Sequence, residues 1–183
     1  MHDPVHEAAR WNLSPERLYL DCWTRLMLRE TVDPADAAST CNVGIGVGEW
    51  DDWLGFWLEG YGSLLSVDID LAQVRGLAER QQAQGHPNPA QVRQGDLLQS
   101  DLGAHDLVTV VGSTLHETHA PARALACARK AVRPGGLLYV SVLHGLGDPV
   151  RLLADQAGVV EQRTYDALPE AGITLALIRV REG

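Results

Sequence analysis

The stretch Cys41-Asn42-Val43-Gly44-Ile45-Gly46-Val47-Gly48-Glu49-Trp50 (CNVGIGVGEW, residues 41–50) decides the fold. Its three glycines, in GxGxG spacing, stand between a short strand ending near Asn42-Val43 and a helix running from about Glu49 to Glu59. Glycines at such a junction let the backbone turn tightly and let a ligand come close to the main chain. The helix start adds N–H groups that have no intrahelical partner. Taken alone the motif also suits a purely structural turn. In the following helix, Trp50, Trp53, Leu54, Trp57 and Leu58 form an i, i+3, i+4, i+7, i+8 stripe, the spacing of a face packed on a core.

Two acids downstream give the glycines a partner chemistry. Leu64-Leu65-Ser66-Val67 reads as a second strand stopped by Asp68, about twenty residues past Gly48. A carboxylate there is placed to accept hydrogen bonds from both hydroxyls of a ribose. With Asp70 it also suits a cap for the helix from Leu71 to about Gln84, which Gly85 ends. Gly95-Asp96-Leu97 follows a third strand near Gln91-Val92-Arg93, and a carboxylate there suits an adenine amino group as well as a loop turn. The three signals fall in order at the carboxyl ends of successive strands, where open α/β sheets bind ligands.

The rest of the chain continues the alternation. Leu107 to Val111 is an unbroken apolar run, as expected of a strand buried on both faces. A helix follows over about Pro121 to Val132, then a turn at Arg133-Pro134-Gly135-Gly136, a fifth strand over Leu137 to Leu143 and a short helix over Pro149 to Ala157. Val159 to Thr164 and Ile173 to Val180 read as a closing antiparallel pair. Ahead of the glycines, Ser14 suits the cap of a leader helix, with Pro15 at its first position and Glu16 near the positive end of its dipole. Leu18, Tyr19, Cys22, Trp23, Leu26 and Met27 share one face of that helix, and the segment around Asp33-Pro34 connects it to the first strand. Strands alternating with helices predict an α/β fold with a mainly parallel sheet.

Composition narrows the classes of function. The chain has 183 residues, 45% hydrophobic and 21% charged, the balance of a globular domain. Its formal charge is −9 and Lys130 is its single lysine, so a phosphate backbone is a disfavoured partner. Cys22, Cys41 and Cys127 show no CxxC spacing and read as reduced thiols. The opening residues lack the basic start and apolar run of a signal peptide, and no apolar window is long enough to span a bilayer. A cytoplasmic protein without a membrane partner is the expectation.

These motifs together resemble the class I S-adenosylmethionine-dependent methyltransferases, from about Cys41 to Val142 and more loosely to the C-terminus. CNVGIGVG is similar to the family's first motif and LLSVDID to its second. QGDLLQSD is similar to its third, HDLVTVVGSTLHET to its fourth strand and following loop, and VRPGGLLYVSVLH to its turn into the fifth strand. The resemblance implies a three-layer Rossmann-like fold with a seven-stranded, mostly parallel sheet whose last strand is antiparallel. It implies a cofactor site of Asn42, Gly44, Gly46, Gly48, Asp68, Ile69, Asp96, Leu97, Gly112 and Ser113. Asp68 would meet the ribose, Ile69 and Asp96 the adenine, and Gly112 and Ser113 the methionine part. Residues 1–37 then form a helical extension, a candidate lid with Tyr19 or Trp11 near the ligand, and residues 38–183 the cofactor domain. The chain departs from the pattern at Asn42, where the family commonly has Asp or Glu, and at Ile45 and Val47, where it has small or polar residues.

The implied reaction is methyl transfer from S-adenosylmethionine, leaving S-adenosylhomocysteine. Aminopropyl transfer and a non-catalytic domain that binds the cofactor to support a partner are the alternatives. The GxGxxG of dinucleotide-binding enzymes fits less well, because the third glycine comes one residue early and position 49 is Glu49. With an acidic surface and no inserted substrate domain, the acceptor is expected to be a small molecule; a homodimer is compatible with the sequence. His116 and His144, which follow the fourth and fifth strands, are the candidate catalytic residues, since imidazole titrates near neutral pH. His116-Glu117-Thr118-His119 lacks HExxH spacing, so no metal is assigned.

Overall fold

The structure is a computed structural model that describes residues 15–154, 156, 158–166 and 172–181. Seven strands form one sheet in the order β3-β2-β1-β4-β5-β7-β6. They are β1 (Ser39–Val43), β2 (Ser63–Asp68), β3 (Gln91–Gln94), β4 (His105–Val110), β5 (Val132–Leu143), β6 (Val159–Tyr165) and β7 (Ile173–Arg179). Strands β1 to β5 pair in parallel, whereas β7 runs antiparallel to both β5 and β6. Order and orientation agree with the expected Rossmann-like sheet. The helices are α1 (Pro15–Thr31), α2 (Glu49–Trp57), α3 (Leu71–Gln84), the single turn α4 (Thr114–Glu117), α5 (Pro121–Lys130) and α6 (Pro149–Leu153). None of the described helices is long and apolar enough to cross a membrane.

Period-two alternation along the strands divides the core in two. On one face Leu138, Val140 and Val142 of β5 join Cys41, Val43, Val67, Val108 and Val110 beneath α5, which contributes Ala124, Leu125 and Ala128. On the other, Leu137, Tyr139 and Leu143 of the same strand join Leu64, Leu107, Leu175 and Leu177 beneath α1 and α2. Tyr139 is fully buried there, and its hydroxyl donates to the Thr24 carbonyl of α1 at 2.7 Å. The tryptophan stripe of α2 is core: Trp50 stacks between Trp53 and Tyr139, and Trp53 continues onto Trp57.

Several element ends differ from the sequence reading, among them the Pro149 helix, which ends at Leu153 rather than Ala157, and two have a clear cause. The Arg133–Gly136 turn lies inside β5, because His105 pairs with Val132 and Leu107 with Leu137, leaving the intervening residues as a bulge. Arg133 is tied there to Asp106 at 2.8 Å, and the Gly135 amide donates to the Val180 carbonyl. A turn that keeps hydrogen-bond partners on both sides stays within the strand. Helix α2 ends at Trp57 rather than Glu59, closed by the Leu58 amide on the Leu54 carbonyl and the Glu59 amide on the Phe56 carbonyl. The proposed cap at Ser14 and the position of Trp11 lie outside the described residues.

Candidate functional site

The carboxyl edges of β1, β2 and β4 open into a cavity of about 590 Å³, within the range of small-molecule sites. The glycine turn forms its floor. Residues 44 to 50, Val67 to Asp70, Gly95 to Leu98 and Val111 to Thr114 all line it. The strand order reverses between β1 and β4, so the connections leave in opposite directions and expose the crevice.

The glycines play different parts. Gly46 has φ +53, and a Cβ built on it meets nothing within 4 Å, so its missing side chain is space given to the cavity. Gly112, across the cavity at the end of β4, is open in the same way. Gly44 instead makes room for the protein: a Cβ there would collide with the Thr114 side chain. Gly48, left-handed at φ +79, starts α2 without a side-chain cap.

Asp68 is the keystone of the turn. Its Oδ2 accepts from the Ile45 amide at 2.7 Å and the Gly46 amide at 3.3 Å, while its Oδ1 accepts from the Asp70 amide. Helix capping falls to Asp70, whose carboxylate accepts from the Ala72 amide at 2.8 Å. Oδ2 is filled by its two amides, and Oδ1, with one bond made, retains acceptor capacity at the cavity that Asp68 lines. Ile69, 67% exposed although apolar, lies on the same rim and offers a flat hydrophobic surface. Asp96 orders its own turn, accepting from the Leu98 amide and the Gln99 side chain, with Leu97 buried beneath. The Gly112 amide donates to the Ser141 hydroxyl, and Ser113 Oγ donates to Glu117 Oε1 at 2.5 Å.

Of the expected site residues, the structure brings Gly44, Gly46, Gly48, Asp68, Ile69, Asp96, Leu97, Gly112 and Ser113 to one cavity. Asn42 stands behind it. Fully buried, it donates from Nδ2 to the Gly44 carbonyl and to Asp51 Oδ1 and accepts on Oδ1 from Thr109. His116 and His144 are not in the lining. The His116 ring packs against Gly147 with its Nε2 buried and unpartnered among the described residues, and burial lowers its pKa. Both nitrogens of His144 are engaged, Nδ1 with Asp166 at 2.9 Å and Nε2 with Thr174 at 2.8 Å.

The structure adds residues that the sequence reading did not assign to the cavity: Leu20, Asp21 and Thr24 of α1, Glu49 of α2, Glu117 and Thr118 after β4, and Leu143 and Ile173. The charged side chains of the described lining are all carboxylates: Asp21, Glu49, Asp68, Asp70, Asp96 and Glu117. Partial burial raises the Glu49 pKa, with Asp21 contributing in the same direction. Burial also raises that of Asp21, despite its ion pair with Arg25 at 3.0 Å.

A glycine floor open at Gly46 and Gly112, flanked by acids at the ends of β2 and β3 on a Rossmann-like sheet, fits a nucleoside-bearing cofactor. A family model described as a methyltransferase domain matches residues 41–140. The chain belongs to that methyltransferase-domain family, and membership carries the cofactor expected from the sequence, S-adenosylmethionine. Solved structures of the same fold include a SAM-dependent methyltransferase from Aquifex aeolicus, 18% identical, with 97% of this chain and 100% of that chain covered and a TM-score of 0.72. N-methyltransferase NodS from Bradyrhizobium japonicum WM9, in complex with S-adenosyl-L-homocysteine, is 17% identical over 92% of this chain and 89% of that one, with a TM-score of 0.70. The cyclase SpnF is 16% identical over 91% and 83%, with a TM-score of 0.75. At these identities the likeness is one of fold. No curated protein matches the chain by sequence.

Proposed function

We propose that this protein transfers the methyl group of S-adenosylmethionine to a small acceptor that is neutral or cationic, with an amine as the favoured chemistry. The observation that carries the reading is the single cavity in which the open glycine floor, Asp68 and Asp96 meet a second wall formed by α1, Glu117, Leu143 and Ile173. The first set would hold the nucleoside and methionine parts; the second leaves room for an acceptor. When bound, the cofactor supplies an electrophilic methyl group on a sulfonium. This chain's task is then to orient a nucleophile and exclude water, which contributes roughly 7–11 kcal/mol. Leu20, Trp50, Val111, Leu143 and Ile173 give the apolar share of that enclosure.

The carboxylates set the acceptor's charge. Asp21, Glu49 and Glu117 would repel an anion and favour an ammonium or polarised amine. An amine nitrogen oriented in this space would take the methyl group that the bound cofactor supplies, leaving S-adenosylhomocysteine, and would have one proton to lose. Glu117, which faces the cavity, is the group we assign to receive it; the Ser113 hydroxyl fixes its carboxylate. His116, packed behind this turn against Gly147, and His144, held by Asp166 and Thr174, carry no step in this reading. The NodS neighbour's description as an N-methyltransferase accords with an amine acceptor.

The test is a panel of small amines, phenols and carboxylates incubated with S-adenosylmethionine, reading S-adenosylhomocysteine release. Amines should turn over and carboxylates should not. Glu117→Gln should then lower the transfer rate by about 10²-fold or more while cofactor affinity is kept. Cofactor binding without turnover of any acceptor would favour the non-catalytic alternative. Turnover of carboxylates in preference to amines would overturn the charge argument.

A further inference from the structure

Beneath the glycine turn, on the side away from the cavity, lies a fully buried acid that the proposed chemistry does not use. Asp51, in the first turn of α2, has no solvent exposure. Its Oδ1 accepts from Asn42 Nδ2 at 2.8 Å and from Ser66 Oγ at 2.5 Å, while its Oδ2 has no hydrogen-bond partner among the described residues. The network extends across the sheet. Asn42 Oδ1 accepts from Thr109 Oγ1, which in turn accepts from Trp50 Nε1 at 3.2 Å. Four elements, β1, β2, β4 and α2, converge on one carboxylate.

Burying a carboxylate with one oxygen unsatisfied is costly. Nothing in the packing requires an acid here, since an amide would keep both existing hydrogen bonds. What the acid adds is charge and a fixed orientation. Because Asp51 accepts and never donates when ionised, the Asn42 amide must turn its NH2 group toward Asp51, and the same NH2 holds the Gly44 carbonyl at 3.1 Å. The carboxylate thus sets the backbone of the cofactor floor through one intermediary and places a negative charge under it. Position 42, where the methyltransferase pattern commonly carries an acid, is here the amide that Asp51 contacts.

We propose that Asp51 is a positioning residue of the cofactor site: from helix α2, through Asn42, it fixes the Gly44 carbonyl, and in its ionised form it places a buried negative charge beneath the floor that would carry the cationic part of the cofactor. This rests on the S-adenosylmethionine reading above. Asp51 is not catalytic, because it touches neither cofactor nor acceptor space; its effect is on affinity for the charged portion of the ligand.

The test compares two ligands that share adenosine but differ in charge: S-adenosylmethionine, with its sulfonium and ammonium, and uncharged 5′-methylthioadenosine. Calorimetry at about pH 8.5, where the parent's Asp51 is ionised, should show Asp51→Asn with affinity for S-adenosylmethionine reduced about tenfold. Affinity for 5′-methylthioadenosine should stay within about twofold and the melting temperature should not fall. Returning the acid to the strand in the double variant Asn42→Asp/Asp51→Asn should restore S-adenosylmethionine binding. Ser66→Ala, a smaller change suited to the case in which Asp51→Asn does not fold, removes one of the two donors. It should weaken S-adenosylmethionine binding about threefold with 5′-methylthioadenosine unchanged. Asp51→Asn or Ser66→Ala binding S-adenosylmethionine like the parent, either of them losing both ligands equally, or a double variant that stays as weak as Asp51→Asn, would overturn the proposal. A parent protein that binds neither ligand would instead sink the cofactor reading on which it rests.

Discussion

Two neighbouring glycines carry opposite meanings, and substitution separates them. Gly44→Ala must displace the Thr114 side chain and should destabilise the fold by about 1–3 kcal/mol. Gly46→Ala meets no protein atom; holding alanine at φ +53 costs about 1–2 kcal/mol, and its methyl group enters the cavity. Denaturant melts together with cofactor titrations should show the first variant losing mainly stability and the second losing cofactor affinity beyond its stability loss. The pH response of Asp51 belongs to the same scale. Burial first, opposed by hydrogen bonds from Ser66 and Asn42 and aided by Asp52, raises its carboxyl from 3.8 to about 7. Its titratable neighbours are the Cys41 thiol of β1, itself pushed up to about 12 by burial, and Asp52, which is paired with Arg80. The folded state therefore holds the Asp51 proton more tightly than the unfolded chain does. The stability this confers is full below the unfolded value and is lost as pH rises through about 7. Melting curves of Asp51→Asn should decline less than those of the parent between about pH 4 and pH 8. The outcome against this is a parallel decline in the two proteins.

At the scale of elements, helix α1 is both wall and core. Met27 and Leu28 are fully buried, Trp23 stacks on Tyr165 with ring centroids 4.4 Å apart, and among the described side chains of α1 Leu20, Asp21 and Thr24 reach the cavity. Tyr19 is exposed and stacked on Trp23, outside the lining. The account predicts that the buried half of α1 keeps its amide protection with or without cofactor, whereas amides flanking Leu20 and Asp21 gain protection on binding; hydrogen exchange reads both. Gains spread evenly along α1 would instead support a helix that closes as a lid. Tyr139→Phe removes the bond to the Thr24 carbonyl and should destabilise by about 1 kcal/mol, measured by denaturant unfolding. The strands, the glycine turn, Asp68 and Asp96 were legible in the sequence because each sits at a local junction of strand and loop. The cavity's second wall was not, because Leu20, Asp21, Leu143 and Ile173 come from segments far apart in the chain. His116 and His144 drew attention by residue type and strand-end position, yet side-chain direction, which position alone does not give, turns them to Gly147 and to Thr174 and Asp166. Asp51 carried a readable signal: it lies three residues before Leu54 and seven before Leu58, on the buried face of its helix.

At the scale of the whole molecule, the central claim is that the edge of this sheet is an S-adenosylmethionine site. The chain carries a formal charge of −9, and every charged side chain of the described cavity lining is an acid, a bias that suits a cationic cofactor and an amine acceptor together. The most direct measurement is a thermal melt with and without S-adenosylhomocysteine, backed by calorimetry. A ligand held only by the folded state stabilises by about 2.7 kcal/mol at one hundred times its dissociation constant, which for a domain of this size raises the melting temperature by roughly 5–11 °C. The account predicts that shift with S-adenosylhomocysteine and none with NAD at the same concentration. An unchanged melting temperature and no heat of binding at about millimolar S-adenosylhomocysteine would contradict it.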